Sequence, residues 1–336
     1  MDSLTHIALG ACMGEAFAGK TVGRKAMLWG ILAQSIPDID FVSAAWLDTP
    51  ALLLAHRGFT HSILFAGIIS IVMATLANNW HRPHNISYTR WAVFFSAAIG
   101  SHILIDAFNN YGVGWFEPFS HYRISFNSIY VADPFFSIVP GIALIALLLL
   151  KQRSKKRVFW WKSGLVIPTL YLCYSLINKG IIDYDVKQLM AKQHVNYSRY
   201  FTTPAPLQNW LWFVVAGNDS VYYIGYRSVF DRQEKLSLEK FIRNTQLLDT
   251  LQQDDDVQQL VRFSQQFYTV EKKQDTLIFN DLRFGQVIGW QDPLAPFAFH
   301  YYLRPPADNT LVVQRGRFAR WDLAATKIFF RRIAGN

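Results

Sequence analysis

The long apolar runs in the first half of this 336-residue chain most constrain how it can fold. Four runs are apolar enough to cross a bilayer, since a spanning helix needs about 20 predominantly apolar residues and shorter ones occur. They cover residues 63–80, 91–105 (extended to 108), 135–150 and 158–177. Two weaker runs, 4–18 and 26–36, come first. The first of these is rich in small residues, which predicts a tight helical hairpin packed against the other segments.

Charged residues divide the chain into two regions. Residues 1–182 contain 14 Lys and Arg and 8 Asp and Glu, whereas residues 183–336 contain 19 and 16. We therefore predict an α-helical polytopic membrane domain of about five to six helical segments over residues 1–180. Residues 183–336 are predicted to form a small soluble α+β domain without a chemical motif of its own.

Within this second region, aromatic and β-branched residues predict strands at 209–215, 220–226 and 311–314. Apolar spacing predicts helices at 237–251 and 255–268. The acidic run 254–256 is predicted to cap the second helix, because carboxylates favour the positive end of the helix dipole.

The distribution of basic residues predicts which way the segments cross the membrane. With six segments, the loops 19–25, 81–90 and 151–157 share one side and carry ten Lys and Arg. The loops 37–62 and 109–134 share the other side and carry only Arg57 and Arg123. Basic loops mark the cytoplasmic side, so the same count predicts an extracytoplasmic second domain. The net charge of +9 is accounted for in large part by the loop 151–157, and no nucleic-acid partner is expected.

Histidines and aspartates gather at the ends of the apolar runs on the side with few basic residues. Ionisable groups at such positions are costly in a membrane and are by default candidates for function. The predicted metal ligands are His6, Asp38, Asp40, His56, His61, His102 and Asp106, with His121 as a further candidate.

The spacing of these residues favours metal binding. His102 and Asp106 are four apart and share one face of a helix. Asp38 and Asp40 are two apart and point the same way in an extended backbone, where two carboxylates repel unless a cation or a proton lies between them. Nitrogen and carboxylate ligands without thiolate suit zinc, manganese or iron. Because the ligands exceed the needs of one ion, two divalent ions are predicted, zinc or manganese.

Four motifs in order resemble a known family. They are MDSLTH (1–6), PDID (37–40), HRGFTHS (56–62) and HILID (102–106). Together they resemble the YdjM-type family of bacterial inner-membrane metal-dependent hydrolases over about residues 1–180. The order of His and Asp is also similar to zinc-dependent phospholipase C, in which such residues hold zinc ions that cleave phosphoesters. That pattern continues with a glutamate four residues after a histidine, and here Ser125 stands four residues after His121.

The resemblance implies a multi-pass hydrolase of the inner membrane that cleaves a phosphoester in a lipid or lipid-linked substrate by metal-activated water. Asp38 or Asp106 is the expected general base, and Arg57 is expected to bind the anion. Two alternatives belong to other classes. One is a transporter or channel with a His/Asp relay, which requires polar residues through the membrane. The other is a non-catalytic scaffold with a structural metal site.

Overall fold

The computed structural model describes residues 2–81, 86–304 and 321–335. The chain divides into two compact units. Unit 1 comprises Met1–Ala45 and Ala55–Ser175, and unit 2 comprises Trp46–Leu54 and Leu176–Asn336. The second boundary falls within one long helix, Lys156–Lys192.

The first 192 residues are helical wherever they are regular. The helices are α1 (Ser3–Val22), α2 (Lys25–Ser35), α3 (Thr49–Ala55), α4 (Ile63–Trp80), α5 (Tyr88–Asp106), α6 (Pro134–Leu149) and α7 (Lys156–Lys192), with 3₁₀ helices at Pro37–Ala45 and Phe59–His61. Side chains cap the N-termini of several of them. The capping residues of α1, α4, α5 and α6 are Asp2, Ser62, Ser87 and Asp133, whose side-chain oxygens accept backbone N–H bonds of the first turn.

The backbones of α1 and α2 are in direct contact. A Cβ atom on Gly10 would overlap the carbonyl of Gly30, and a Cβ atom on Gly30 would overlap the carbonyl of Gly10. Only residues without a side chain allow this approach, so the predicted tight hairpin is confirmed.

Aromatic packing fixes α5 against the hairpin and α4. Trp91 and Phe95 of α5 are fully buried, and the ring of Trp29 from α2 packs edge-on against both. On α4, Ala74 and Ala77 belong to the same apolar cluster. These contacts pack the ends of α2, α4 and α5 that lie opposite the His/Asp residues.

Among the residues that the structure describes, two helices are long and apolar enough to cross a membrane, Ile63–Trp80 and Lys156–Lys192. The helix Pro134–Leu149 is apolar but shorter. The five to six spanning segments predicted from the sequence are thus not confirmed. Several large apolar residues of α4 and α6 nevertheless point outward, namely Ile68, Ile71, Ile138, Ile142 and Ile145.

Unit 2 contains two antiparallel sheets. The first has the order β1-β2-β3-β4 and the second the order β5-β6-β7. The strands are β1 (Arg199–Pro204), β2 (Leu211–Gly217), β3 (Val221–Ser228), β4 (Leu238–Ile242), β5 (Tyr268–Lys273), β6 (Thr276–Gln286) and β7 (Phe297–Arg304). Among the described residues, the helices α8 (Asp255–Phe263) and α9 (Leu323–Ile333) accompany them.

The central strand β2 is buried on both faces. On one face, Trp212 and Val214 pack against the end of α7, where Ile182, Val186 and Leu189 recur at helical spacing. On the other face, Phe213 and Val215 pack against Leu282 of β6 and Phe297 of β7. Alternate residues of this strand therefore pack against α7 on one face and against the second sheet on the other. The predicted strand at 209–215 is confirmed.

The strand predicted at 220–226 is also confirmed, as β3. The prediction of a helix over 237–251 is wrong. Residues Leu238–Ile242 form β4, which pairs with β3, and Thr245–Leu251 is a 3₁₀ helix. Asn244 lies between them with a φ of 53°, a left-handed conformation that no α-helix can contain. Hydrogen bonding to β3 thus determines the conformation of this segment, although its apolar residues recur at helical spacing.

The helix predicted over 255–268 is shorter in the structure. It ends at Phe263, because Gln265 and Gln266 take φ values of 50° and 71°, and the chain then enters β5 at Tyr268. The predicted cap is confirmed, since the Asp254 carboxylate accepts bonds from the N–H groups of Asp256 and Val257. The predicted strand at 311–314 lies outside the described residues.

Candidate metal centre

Four segments of unit 1 bring the polar residues together. His6 lies in the first turns of α1, and His102 and Asp106 lie in the last turns of α5. Asp38 belongs to the 3₁₀ helix that follows α2, and His61 ends the 3₁₀ helix that precedes α4. Each is therefore placed at a helix end, where the chain changes direction and a side chain can turn inward.

Four of these residues form a compact group that could hold a metal ion, Asp38, His61, His102 and Asp106. The two imidazole Nε2 atoms, of His61 and His102, are 3.2 Å apart. The Nε2 atom of His61 is 3.4 Å from Asp106 Oδ2 and 3.5 Å from Asp38 Oδ1. The Nε2 atom of His102 is 3.6 Å from Asp38 Oδ1 and 3.7 Å from Asp106 Oδ2.

These separations match the ligand shell of one small cation. Four ligands at about 2.0–2.2 Å from a tetrahedral zinc ion lie about 3.3–3.6 Å from one another. The five nitrogen–nitrogen and nitrogen–oxygen separations fall between 3.2 and 3.7 Å. One ligand atom from each residue lies within 4.8 Å of those of the other three.

Hydrogen bonds on the far side of each imidazole fix which nitrogen faces the group. The Nδ1 atom of His102 is 2.6 Å from the backbone oxygen of Gln34, which can only accept, so Nδ1 carries the proton. The Nδ1 atom of His61 is 3.1 Å from Thr60 Oγ1, and that hydroxyl donates to Asp40. Both Nε2 atoms therefore face one another and the carboxylates as acceptors. This is the arrangement of metal-bound histidines, whose outer N–H is held by an oxygen.

His6 contacts the outer oxygen of Asp106 and lies beside the four-residue group. Its Nε2 is 3.2 Å from Asp106 Oδ1, while its Nδ1 is 3.0 Å from Gln34 Oε1. The Gln34 amide cannot be reversed, since its nitrogen donates to Ala98 O and Ser101 Oγ. His6 Nδ1 is thus the donor to Gln34, and His6 Nε2 meets Asp106 as a second acceptor.

Asp38 and Asp40 point in different directions, and the expectation that they share one side is wrong. They belong to a 3₁₀ helix, in which residues two apart are turned by about 240° from each other rather than aligned. Asp38 faces the Nε2 side of His61, and Asp40 faces its Nδ1 side. Asp40 also contacts His56 Nδ1 at 3.1 Å and accepts the backbone N–H of Arg57 at 2.8 Å.

The pKa values of the loop residues follow from these contacts. Burial alone would raise the pKa of the Asp38 carboxyl, but its contacts with the imidazoles of His102 and His61 hold it below its ordinary value. For Asp40, burial acts in the same way, and His56 likewise lowers the pKa. Both carboxylates are therefore ionised, as metal ligands and their supporting groups must be.

Arg57 is placed to position Asp106. Its side chain is only 3% exposed, and its Nε lies 3.0 Å from Asp106 Oδ2. Its Nη1 donates to Asn109 Oδ1 at 2.8 Å. A guanidinium buried in this way favours a role in holding Asp106 over the predicted direct contact with an anionic substrate. Arg123 is also turned inward, with Nη2 donating to the backbone oxygen of His56 at 2.6 Å.

His121 does not contact the other predicted ligands in the contacts that the structure describes. Its side chain is 60% exposed, and its Nδ1 is 2.9 Å from the carboxylate of Glu117, four residues earlier. Conversely, Gln34 and Asn109 were not predicted. Each is a fully buried amide, and Gln34 interrupts the apolar helix α2 four residues before Asp38. A single amide within an apolar run of the sequence is the signal that could have identified Gln34.

The structure thus defines a helical unit with outward apolar faces and a buried His/Asp group that could hold a metal ion. The model of the YdjM inner membrane protein family matches residues 1–182, more than half of the chain. The chain belongs to this family.

A curated relative supports the same conclusion. Inner membrane protein YbcI of Escherichia coli (strain K12) is 30% identical over 122 residues, which are 36% of this chain and 69% of the relative. No solved structure matches the chain.

Proposed function

We propose that this protein is a membrane-embedded, metal-dependent hydrolase. The observation that carries the proposal is the convergence of the His61 and His102 Nε2 atoms, 3.2 Å apart, with carboxylate oxygens of Asp38 and Asp106. Acceptors this close repel unless a cation lies among them. The donor set of two imidazoles and two carboxylates suits zinc, and manganese is the second choice.

A second ion is proposed on the outer side of Asp106. One oxygen of this carboxylate faces His61 and His102, while the other lies 3.2 Å from His6 Nε2. A carboxylate with both oxygens turned to imidazole acceptors is suited to bridge two ions. Two-metal centres have separations of about 3.5–4 Å, a distance that a bridging carboxylate spans.

The proposed reaction is hydrolysis of a phosphoester. Divalent ions held here would supply Lewis acidity toward a phosphoryl oxygen and lower the pKa of water. Arg57 and Asp40 would hold Asp106 and His61 in their orientations. Asp38 is the ligand with the most exposed carboxylate, at 20%, so it is the residue proposed to take the proton of the attacking water.

The proposed substrate is a lipid or a lipid-linked molecule. Exposed apolar side chains flank the ligands in sequence, with Ile39 between Asp38 and Asp40, and Phe59 two residues before His61. Further exposed aromatic side chains come from the loop after α5, namely Phe116, Phe119 and Tyr122. Such side chains suit a membrane interface and would pack against acyl chains while a headgroup reaches the polar group.

The proposed protein crosses the inner membrane five to six times, with the site and the second domain on the extracytoplasmic side. The outward apolar faces of α4 and α6 and the ten basic residues of the opposite loops support this arrangement. Reporter fusions after Leu150 and after Ile177 are expected to report the cytoplasm and the exterior, respectively. A cytoplasmic signal from the second fusion would contradict the proposed topology.

A His/Asp-relay transporter is disfavoured by the composition of α1. Between His6 and Glu15, residues 7–14 carry no carboxylate, imidazole or amine. Glu15 itself is paired with Arg157, whose Nε lies 2.7 Å from its carboxylate. A proton or ion path along this helix would therefore lack relay groups.

The central experiment combines metal analysis with an activity assay. Protein purified without chelators is expected to contain zinc or manganese and to release a phosphate-containing headgroup from bacterial lipids. His61→Ala is expected to lose both properties, whereas His121→Ala, which removes an exposed histidine of the same unit, is expected to keep both.

Each result has a separate meaning. Metal-free protein would overturn the metal centre itself. Protein that binds metal through His61 but cleaves no lipid would overturn the hydrolase and favour a scaffold with a structural metal. Equal activity in the two variants would show that the catalysis arises elsewhere.

A further inference from the structure

The last helix of unit 2 has an outward side that is not polar. Ala325 and Phe329 of α9 are buried in an apolar cluster with Trp290. On the outward side, Leu323 is 82% exposed and Phe330 is 64% exposed. They are seven residues apart and therefore lie on the same side of the helix. A helix that faces water normally carries polar residues there, so two large apolar side chains in this position call for a partner.

A groove adjoins this helix. It has a volume of about 600 Å³ and is lined by residues of α7 from Leu176 to Asp185 and by Ser228, Val229 and Asp231. Ile177 and Ile181 of α7 are exposed along it, as is Phe230 between its lining residues. Arg332 of α9 forms an ion pair with Asp231 at 2.6 Å, which places the end of α9 beside the groove. We call the outward side of α9 and the groove together the basic–apolar face.

Cationic residues accompany the apolar ones. Lys327 and Arg331 lie on α9 beside Phe330, and Arg232 follows Phe230 at two residues. None of the three makes a salt bridge within the described ranges, whereas Arg332 and Arg227 are paired with Asp231 and Asp185. The basic–apolar face thus combines exposed aromatic and aliphatic side chains with uncompensated positive charge. This is the composition of helices that lie in the interface of a bilayer with anionic lipids.

The chain connectivity selects a membrane over other partners. The main segment of unit 2 begins at Leu176, inside the same helix α7 that contains a candidate membrane span. Its first residues therefore emerge close to the lipid headgroups. We propose that unit 2 binds the surface of an anionic phospholipid bilayer through the basic–apolar face. The groove receives an acyl chain, and Lys327, Arg331 and Arg232 contact lipid phosphates. This interaction does not depend on the proposed hydrolase activity.

The test uses the full-length chain in lipid nanodiscs. In a Cys173→Ser background, a nitroxide spin label is attached at Phe330→Cys, and in a second protein at Asp275→Cys as an exposed control on the turn between β5 and β6. Spin-label collisions are measured with oxygen, which concentrates in lipid, and with a water-soluble nickel complex. The nanodiscs contain either phosphatidylcholine alone or a mixture with phosphatidylglycerol.

The label at position 330 is expected to favour oxygen in the mixed nanodiscs and to shift toward nickel in phosphatidylcholine alone. Lys327→Glu combined with Arg331→Glu is expected to lower the ratio of docked to undocked protein by roughly tenfold or more. The label at position 275 is expected to favour nickel throughout.

Three results would overturn the proposal. The first is a label at position 330 that favours nickel in the mixed nanodiscs as strongly as the label at 275. The second is an oxygen preference that changes neither with lipid charge nor with the double variant. The third is shielding from both reagents in detergent micelles as well as in nanodiscs, which would assign the face to a protein partner or a second copy.

Discussion

Two of the places where unit 1 buries charged side chains differ in how the partners satisfy the charge. In α1, the Glu15 carboxylate accepts two hydrogen bonds from Arg157, both of 2.7 Å. Arg157 also donates to the backbone oxygens of Leu147 and Leu150 at the end of α6. Nine residues earlier in the same helix, about 13 Å along its axis, His6 begins the His/Asp group.

The comparison teaches that burial of charge is not in itself a sign of chemistry. Glu15 and Arg157 form a closed pair of opposite charges, and Arg157 also caps α6. In the His/Asp group, by contrast, the Nε2 atoms of His61 and His102 and two carboxylates converge as acceptors, with the Arg57 guanidinium beside Asp106 as their cationic neighbour. The first arrangement is complete as it stands, whereas the second gains stability from a cation. The predictions below test this difference.

The largest effect is expected from Glu15→Ala. It leaves the Arg157 guanidinium buried without its counter-charge, which costs about 3–5 kcal/mol of the free energy of unfolding. The midpoint of unfolding in detergent, followed by circular dichroism, should fall accordingly. The metal content of the remaining folded protein should be unchanged. A loss of metal without a loss of stability would contradict the distinction between the Glu15–Arg157 pair and the His/Asp group.

The second prediction concerns His102→Ala. Structural zinc sites bind with about 10–16 kcal/mol, so one ligand of four contributes roughly 3 kcal/mol, or about a hundredfold in metal affinity. Titration against a chromophoric chelator should show this loss. Unfolding of the metal-free variant should differ little from that of the metal-free parent, because the close contact between two Nε2 acceptors is removed.

Thr75→Ala provides the matched control, since it removes a side chain on the exposed side of α4 that bonds only its own helix. It should leave metal affinity unchanged. An affinity of His102→Ala equal to that of this control would contradict the proposed ligand set.

The sequence predicted the chemical type of this site better than its geometry. The spacing of His102 and Asp106 placed both on one helix face, and both face the group. Helix ends bring His6, Asp38 and His61 to the same place, as the alternation of the predicted segments implied. Residues in regular helices are predictable in this way because helical periodicity fixes their direction.

Residues outside regular helices were not predictable in the same way. The direction of Asp40 depends on the 3₁₀ conformation of residues 37–45, which spacing does not reveal. The same limit applies in unit 2, where β4 replaced a predicted helix because its backbone pairs with β3. Partners distant in sequence decide such segments, and local pattern carries no information about them.

Asp40 supplies the third prediction, because it tests the outer contacts of a ligand rather than the ligand itself. Asp40→Asn keeps the shape of the side chain but removes the charge beside His61 Nδ1, which is 3.4 Å from Asp40 Oδ2. Changes to such supporting groups typically reduce metal affinity by about 10–100-fold, and we expect a loss near the lower end, about 10-fold, because the amide keeps an oxygen beside His61. The same chelator titration should place this variant between His102→Ala and the parent. An affinity as low as that of His102→Ala would indicate that Asp40 is itself a ligand.

The smallest effect is expected from His121→Ala. This histidine was a further candidate ligand, yet its only described contact is an exposed pair with Glu117. Exposed pairs of this kind contribute about 0–1 kcal/mol to stability, and this variant should unfold within that margin of the parent. Its metal affinity should equal that of the parent. If metal is lost, His121 must move to the His/Asp group when an ion binds. The comparison of this group with the Glu15–Arg157 pair would then have to include the loop between α5 and α6.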